Sequence, residues 1–268
     1  MTPFTERWSL EGKRAIVTGS TKGIGRAIAE ELGRLGASVG VVARNASDVM
    51  ETVEHLGGMG INAWGSAADV SAGSGRAAIL DSIPRDWSTL DILVNNAGTN
   101  VRKRALEYSS EEIDRIHRTN LESAFELSRS LHPRLAAAKG SSVVFVGSVA
   151  GQVSTGTGAI YAMTKAALSQ LARVLAVEWA ADGIRVNLVA PWYTRTPLAE
   201  PILEQKVLRD RILSRTPIGR IAEPEEVAAV VAFFCLPAAS FVTGQSLAVD
   251  GGFLSYGYSP QALPHESE

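Results

Sequence analysis

Seven short runs in this chain are almost wholly apolar and rich in β-branched residues, and segments with the apolar spacing of helices separate them. The runs cover 14–18, 38–43, 61–65, 92–95, 142–146, 185–190 and 246–249. A strand that is apolar on both sides must be covered on both faces, which is the condition of a parallel sheet held between layers of helix. Helical spacing is clear at 24–35, 111–138, 159–181 and 225–236. Parallel neighbours need right-handed crossovers, so the pattern predicts an α/β fold. Its form is a Rossmann-type doubly wound parallel sheet of seven strands with helices on both faces. No internal repeat, linker or low-complexity block interrupts the 268 residues, so 1–268 reads as a single domain. Two stretches leave the alternation: an excursion over 192–220, with a short helical piece near 201–214, and a tail over 253–268. Excursions beyond the carboxyl ends of strands are where such sheets build substrate pockets.

The first strand runs directly into Thr18-Gly19-Ser20-Thr21-Lys22-Gly23-Ile24-Gly25 and then into the helical RAIAEELGRLG. A glycine-rich turn between strand and helix cradles phosphate. Gly19 permits the tight turn, Gly23 lets the backbone approach a pyrophosphate, and Gly25 lets helix and strand pack closely, while the helix N-terminus presents oriented N–H groups. The spacing is G-x-x-x-G-x-G. An NAD site places Asp or Glu about 20 residues beyond the loop, on the ribose 2′-hydroxyl. This chain has Arg44 there, in VVARN, and a second cation, Lys22, inside the loop. Two cations and no carboxylate favour a 2′-phosphate, hence NADP(H); a solvated loop arginine is the alternative. Asp69, in AADVS after the third strand, is positioned to accept from an adenine amino group, and capping of the following helix by Asp69 or Ser71 explains it equally well.

Tyr161 and Lys165 stand four residues apart in a helical stretch, so phenol and ammonium share one face. A free phenol titrates near about 10 and is a weak proton donor or acceptor at neutral pH unless positive charge favours its phenolate. Lys165 is expected to supply that charge. An exposed pair on an amphipathic helix would show the same spacing, and the context downstream of the glycine loop is what favours chemistry.

The formal net charge of −2, with no dominant basic tract, gives no case for nucleic acid. The lone Cys235 excludes an intramolecular disulfide and lies in the apolar VVAFFCLP, which suits a buried thiol and a reducing cytoplasm. Histidines 55, 117, 132 and 265 lack metal-ligand spacing, so no metal is expected. The N-terminal stretch has no long apolar region and no run of about 18 apolar residues occurs, so neither secretion nor membrane insertion is expected.

Over 10–253 the chain resembles the short-chain dehydrogenase/reductase family. The motifs that carry the resemblance occur in order: TGSTKGIG at 18–25, NNAG at 95–98, Asn120 in RTNLESAF, Ser148 in VGSVAG, YAMTK at 161–165, IRVN at 184–187, and a segment from Pro191 to Thr196. RWSLEGKRAIVTGSTKGIG and TPIGRIAEPEEVAAVVAFFCLPAASFVTGQSLAVDGGF are similar to tropinone reductases and their relatives. The resemblance implies a catalytic set of Asn120, Ser148, Tyr161 and Lys165. Tyr161 would be general acid in reduction and base in oxidation. Lys165 would lower its pKa and hold the nicotinamide ribose. Ser148 would stabilise the developing oxyanion, and Asn120 would tie a water to the lysine. The implied cofactor contacts are Gly19, Thr21, Lys22, Gly23, Ile24, Gly25, Arg44, Asp69, Val70, Asn96, Gly98, Tyr161, Lys165, Pro191, Thr194 and Thr196.

Ser148, Tyr161 and Trp192 are the implied substrate contacts. Trp192 follows Pro191 where the family usually has Gly. Two placements stay open for its ring: an aromatic wall against a bulky alicyclic substrate, or packing under 201–214. The implied activity is NADP(H)-dependent hydride transfer between nicotinamide and a ketone, by resemblance a cyclic or bicyclic one. Reduction of a 3-oxoacyl-carrier protein is the rival reading, which would use Arg102, Lys103 and Arg104 as an acidic partner's dock. A non-catalytic NADP-binding regulator is another. The expected partners are a small ketone or alcohol and further copies of the chain, as a homodimer or homotetramer, with no nucleic acid and no membrane.

Overall fold

The computed structural model describes residues 4–257; residues 258–268 of the expected tail lie outside the described residues. A short helix α1 (Phe4–Arg7) precedes β1 (Arg14–Thr18), α2 (Gly23–Arg34), β2 (Ser38–Ala43), α3 (Ala46–Gly58), β3 (Ala63–Ala67), α4 (Gly73–Ser82) and β4 (Ile92–Asn95). Then follow α5 (Ser110–His117), a π turn (Arg118–Glu122), α6 (Ser123–Ala137), β5 (Ser142–Val146), α7 (Ala159–Glu178) and β6 (Arg185–Pro191). Two short helices, α8 (Glu200–Leu203) and α9 (Lys206–Leu213), lead to α10 (Pro224–Cys235) and β7 (Ser246–Val249).

The strands form one parallel seven-stranded sheet in the order β3-β2-β1-β4-β5-β6-β7. The order reverses between β1 and β4, and the crevice at the carboxyl ends of such a pair is where doubly wound sheets bind ligands. Successive strand residues face opposite sides. Val17, Val94 and Val144 join a core with Leu32, Val227 and Val231, whereas Ile16, Leu93 and Phe145 join one with Ile79, Leu127 and Leu168. The first core takes helices α2 and α10, the second α4, α6 and α7, so both faces are covered as expected. Cys235 belongs to the first core, and burial pushes its thiol up to about 12.

Three boundaries differ from expectation. β3 pairs through Ala63–Ala67, because Ile61 still belongs to the turn after α3: its N–H donates to Leu56 O at 3.0 Å and its side chain packs over Gly33. The helix expected over 111–138 is broken by the π turn, where the Ser123 N–H reaches Arg118 O, five residues back. The helical piece near 201–214 is two helices. The 192–220 excursion also builds a small core with Ile221 just beyond it: Ala199, Leu203, Ile212 and Ile221 are buried, and Trp192 and Tyr193 pack against them.

Candidate active site

The glycine loop sits at the β1/β4 switch. Gly19 has φ +66, a conformation that side-chain-bearing residues rarely adopt, and its N–H donates to Val42 O at 2.7 Å. Asn96 Nδ2 donates to Thr18 O at 2.9 Å and Gly19 O at 3.1 Å, tying β4 to the loop. A Cβ on Gly25 would overlap the Gly19 carbonyl and the Asn96 amide, so only glycine lets α2 seat here. Lys22 occupies the N-cap of α2 and makes no side-chain cap. The first-turn N–H groups of this twelve-residue helix are thus open to an anion, and the loop fits a dinucleotide pyrophosphate. Thr196 reaches the same place: its Cγ2 lies 3.0 Å from where a Gly23 Cβ would stand. Thr21 is half-buried, and Ile24 packs on the first core.

Arg44 lies at the carboxyl end of β2, exposed, with no hydrogen bond or ion pair among the described residues. Lys22 is different, because its ammonium is bonded to Asp48 at 2.9 Å. This carboxylate on the first turn of α3 was not anticipated. Asp69 accepts from the Ser71 N–H at 2.9 Å and the Ser71 hydroxyl at 2.7 Å, so one of its oxygens is used in a local turn. Neither residue caps α4, whose N-cap is Ala72. Val70 is buried and its carbonyl accepts from Arg76 at 2.9 Å. Pro191 is buried at the end of β6, and the Thr194 hydroxyl is turned back onto Trp192 O at 3.2 Å.

Tyr161 lies in the first turn of α7, and the Ser148 side chain, just beyond β5, works to lower its phenol's pKa. Ser148 also caps a 3-10 turn, accepting from Ala150 N–H at 3.1 Å. Lys165 is 4% exposed, its Nζ donating to Val146 O at 2.8 Å and lying 5.6 Å from the centre of the Tyr161 ring. Asn120, in the π turn, is buried. Its Oδ1 accepts from Thr99 N–H at 2.8 Å, and its Nδ2 donates to Thr99 O at 2.9 Å and Thr164 Oγ1 at 3.2 Å. A Cβ on Gly98 would stand 3.6 Å from both Asn120 Oδ1 and Lys165 Nζ, so these three residues share one wall.

The expected lowering of the tyrosine pKa needs correction. Burial pushes the Tyr161 phenol above its usual range; the Ser148 side chain and then the Arg102 charge oppose the rise, and Tyr193 adds to it. Lys165 donates to the Val146 carbonyl and lies over the Tyr161 ring. Burial also disfavours its own charge and lowers its pKa to about 8, which still leaves an ammonium at neutral pH.

Comparison with known proteins completes the picture. The family described as enoyl-(acyl carrier protein) reductase matches residues 19–254. A tropinone reductase homolog of Arabidopsis thaliana is 51% identical over 260 residues, 97% of this chain and 98% of that protein. The chain belongs to the short-chain dehydrogenase/reductase family. Among solved members of that family, gluconate 5-dehydrogenase of Burkholderia cenocepacia, in complex with NADP and tartrate, superposes with a TM-score of 0.90 at 30% identity, over 94% of this chain and 99% of that one. A 7α-hydroxysteroid dehydrogenase, complexed with NADH and 7-oxo glycochenodeoxycholic acid, gives 0.89 at 32% identity, over 94% and 98%. The protein is thus a short-chain oxidoreductase acting on CH–OH groups.

Two influences on the phenol in this short-chain oxidoreductase escaped the sequence reading. The Arg102 charge works to lower the Tyr161 pKa and Tyr193 works to raise it. Trp192, which drew attention instead, stacks on Phe253 with centroids 3.8 Å apart, lies edge-on to Tyr193 at 4.7 Å, and donates its indole N–H to Thr216 at 3.0 Å. Its ring is held among residues of the excursion and the start of the tail.

Proposed function

We propose that the protein is an NADP(H)-dependent carbonyl reductase and alcohol dehydrogenase whose substrate is a cyclic or bicyclic ketone. One observation supports the reading above others: Ser148, Tyr161 and Lys165 converge on one side of a wall that Gly98 and Asn120 complete. A bound nicotinamide would supply or accept the hydride. Tyr161, with its pKa held high, is protonated at neutral pH and ready to donate to a carbonyl oxygen. Ser148 holds that oxygen, and Lys165 offers its ammonium to a ribose while staying bonded to Val146. Asn120 keeps the π turn and the Thr99 backbone at a fixed distance from the lysine. A binding-only regulator needs no such donor.

Preference for NADP rests on Arg44, the unpaired cation at the end of β2, with the loop residues Gly19 to Gly25, together with Asn96, Gly98 and Thr196, holding the remainder. The cyclic ketone comes from the names of the tropinone reductase homologs. Carrier-protein reduction stays the second reading: of the expected basic dock, Lys103 binds both Glu112 oxygens at 2.7 and 2.9 Å, whereas the Arg102 and Arg104 guanidinium groups have no ion pair among the described residues. We assign the excursion 192–220 to substrate selection within a single domain, and the chain to a cytoplasmic homodimer or homotetramer, although one relative is described as chloroplastic.

The test is a ketone panel with NADPH and NADH, read by loss of nicotinamide absorbance. Reduction of cyclic ketones should be faster with NADPH. Tyr161→Phe should keep cofactor affinity and lose at least about 100-fold in turnover. A variant that turns over like wild type removes Tyr161 from the chemistry.

A further inference from the structure

Thr164 is the one polar side chain between Tyr161 and Lys165, and it is wholly buried. Standing three residues after Tyr161, it shares the helix face that carries the phenol and the ammonium. Its hydroxyl works in two directions. The hydrogen goes to Tyr161 O at 2.8 Å, so toward any other neighbour the oxygen can only accept. That neighbour is Asn120 in the π turn, whose Nδ2 donates to it at 3.2 Å. Thr99 imposes the same orientation on the amide: its N–H meets Oδ1 at 2.8 Å, and its carbonyl takes Nδ2 at 2.9 Å. Both amide hydrogens of Asn120 are thereby committed, one to Thr99 and one to Thr164. Asn120 is 1% exposed, so solvent can replace neither partner. Its Oδ1 then stands on the wall shared with Lys165 Nζ, each 3.6 Å from the place of a Gly98 Cβ. Among the described residues, Thr164 alone bonds through its side chain to both the Asn120 amide and the main chain of Tyr161.

We propose that Thr164 is a positioning residue of the reaction, whose hydroxyl keeps the Asn120 amide in register with the first turn of α7. It holds the Asn120 oxygen beside the lysine while the main chain under the proton donor stays in place. Without the hydroxyl, one amide hydrogen of Asn120 is buried unpaired. A flipped amide would give up both Thr99 bonds, so the loss falls on the position of Asn120 and the π turn rather than on its orientation. A shift of about 1 Å in such a support can slow turnover by up to about 100-fold. This inference rests on the carbonyl-reductase reading above and adds a residue to its machinery.

The test opposes two substitutions. Thr164→Val keeps the shape and removes the hydroxyl, whereas Thr164→Ser keeps the hydroxyl and removes the methyl group. Rates are taken well below each variant's Tm, with NADPH and the ketone that wild type reduces fastest in a panel of cyclopentanones, cyclohexanones and bicyclic ketones. Thr164→Val should lower kcat about tenfold and leave NADPH affinity, read by calorimetry, within about twofold. Thr164→Ser should recover most of the rate. Thr164→Ala is the second hydroxyl-free variant should the valine protein not fold. In an Asn120→Ala background, where no amide is left to hold, Thr164→Val should cost less than about twofold; Asn120→Ser serves if the alanine protein does not fold. Thr164→Val at the wild-type rate, a loss in Thr164→Ser as large as in Thr164→Val, or the same loss with and without the Asn120 amide overturns the assignment of Thr164 and leaves the reductase reading standing. Reduction of no ketone by wild type overturns both.

Discussion

Replacing Lys165 by Met should make the cofactor-free protein more stable at pH 7. The ammonium is 4% exposed, and its pKa falls from 10.5 to about 8 through burial. At about 1.4 kcal/mol per pH unit, keeping it charged in the folded state costs roughly 3 kcal/mol. The variant removes that cost but leaves the Val146 carbonyl without its donor, a loss of about 1–2 kcal/mol. A net gain of roughly 1–2 kcal/mol remains, or about 2–8 °C in Tm for a chain of this size. The sign follows from proton binding: between about 8 and 10.5 the unfolded chain holds more protons at this site than the folded one, so wild-type stability rises with pH across that window. Below about 8 both states are protonated and the full cost is present. The variant's advantage should therefore be largest near neutrality and shrink as pH rises toward 10.5, where the neutral amine still bonds Val146. Thermal melts without cofactor at pH 7 and at higher pH decide it. A Met variant that is less stable at pH 7, or a gap that does not change with pH, would refute the claim that lysine desolvation is stored in this site.

Arg44→Asp should lower kcat/KM for NADPH by about 10- to 100-fold and raise it for NADH, because the guanidinium is removed and a carboxylate is set in its place. Lys22→Ala should have a smaller effect, since Lys22 is exposed and bound to Asp48. Equal effects of the two changes, or none, would mean that Arg44 does not read the phosphate. Trp192→Ala removes two aromatic contacts and the bond to Thr216, and should cost at least about 1 kcal/mol, or 2–4 °C in Tm. Limited proteolysis should then cut within 192–220; unchanged melting and cleavage would show that the ring does not anchor the excursion.

Much of the sheet is legible because each strand is a short apolar run bounded by a turn. Ile61 misled the edge of β3 because an apolar residue packing over Gly33 from a turn looks the same in sequence as the start of a strand. The π turn carries no glycine or proline in RTNLE, so its i to i+5 bonding gives no local mark. Asn120 finds its partners at Thr99 and Thr164, which only the assembled fold brings near. The spacing of Tyr161 and Lys165 put both on one face, but could not show the ammonium bonded to the Val146 carbonyl or the burial that raises the phenol's pKa. Lys22 and Asp48 lie on different crossovers, and their pairing follows from the β1/β2 register. The three cations at 102–104 look alike as letters, and only the fold shows that Lys103 is bonded to Glu112.

The polar residues at the centre of the site are held largely by main-chain atoms: Lys165 by Val146 O, Asn120 by Thr99 N and O, and Asn96 by Thr18 O and Gly19 O. A main-chain atom survives substitution of the residue that bears it. Mutations at 99 or 146 can therefore alter size and shape without withdrawing a bond from the reaction machinery. The 192–220 excursion, whose small core is built from side chains, has no such protection. In a saturation-mutagenesis landscape, tolerance at the anchors should coexist with steep changes in substrate range at the rim, so a lineage of this fold can exchange one ketone for another while its proton donor stays in place.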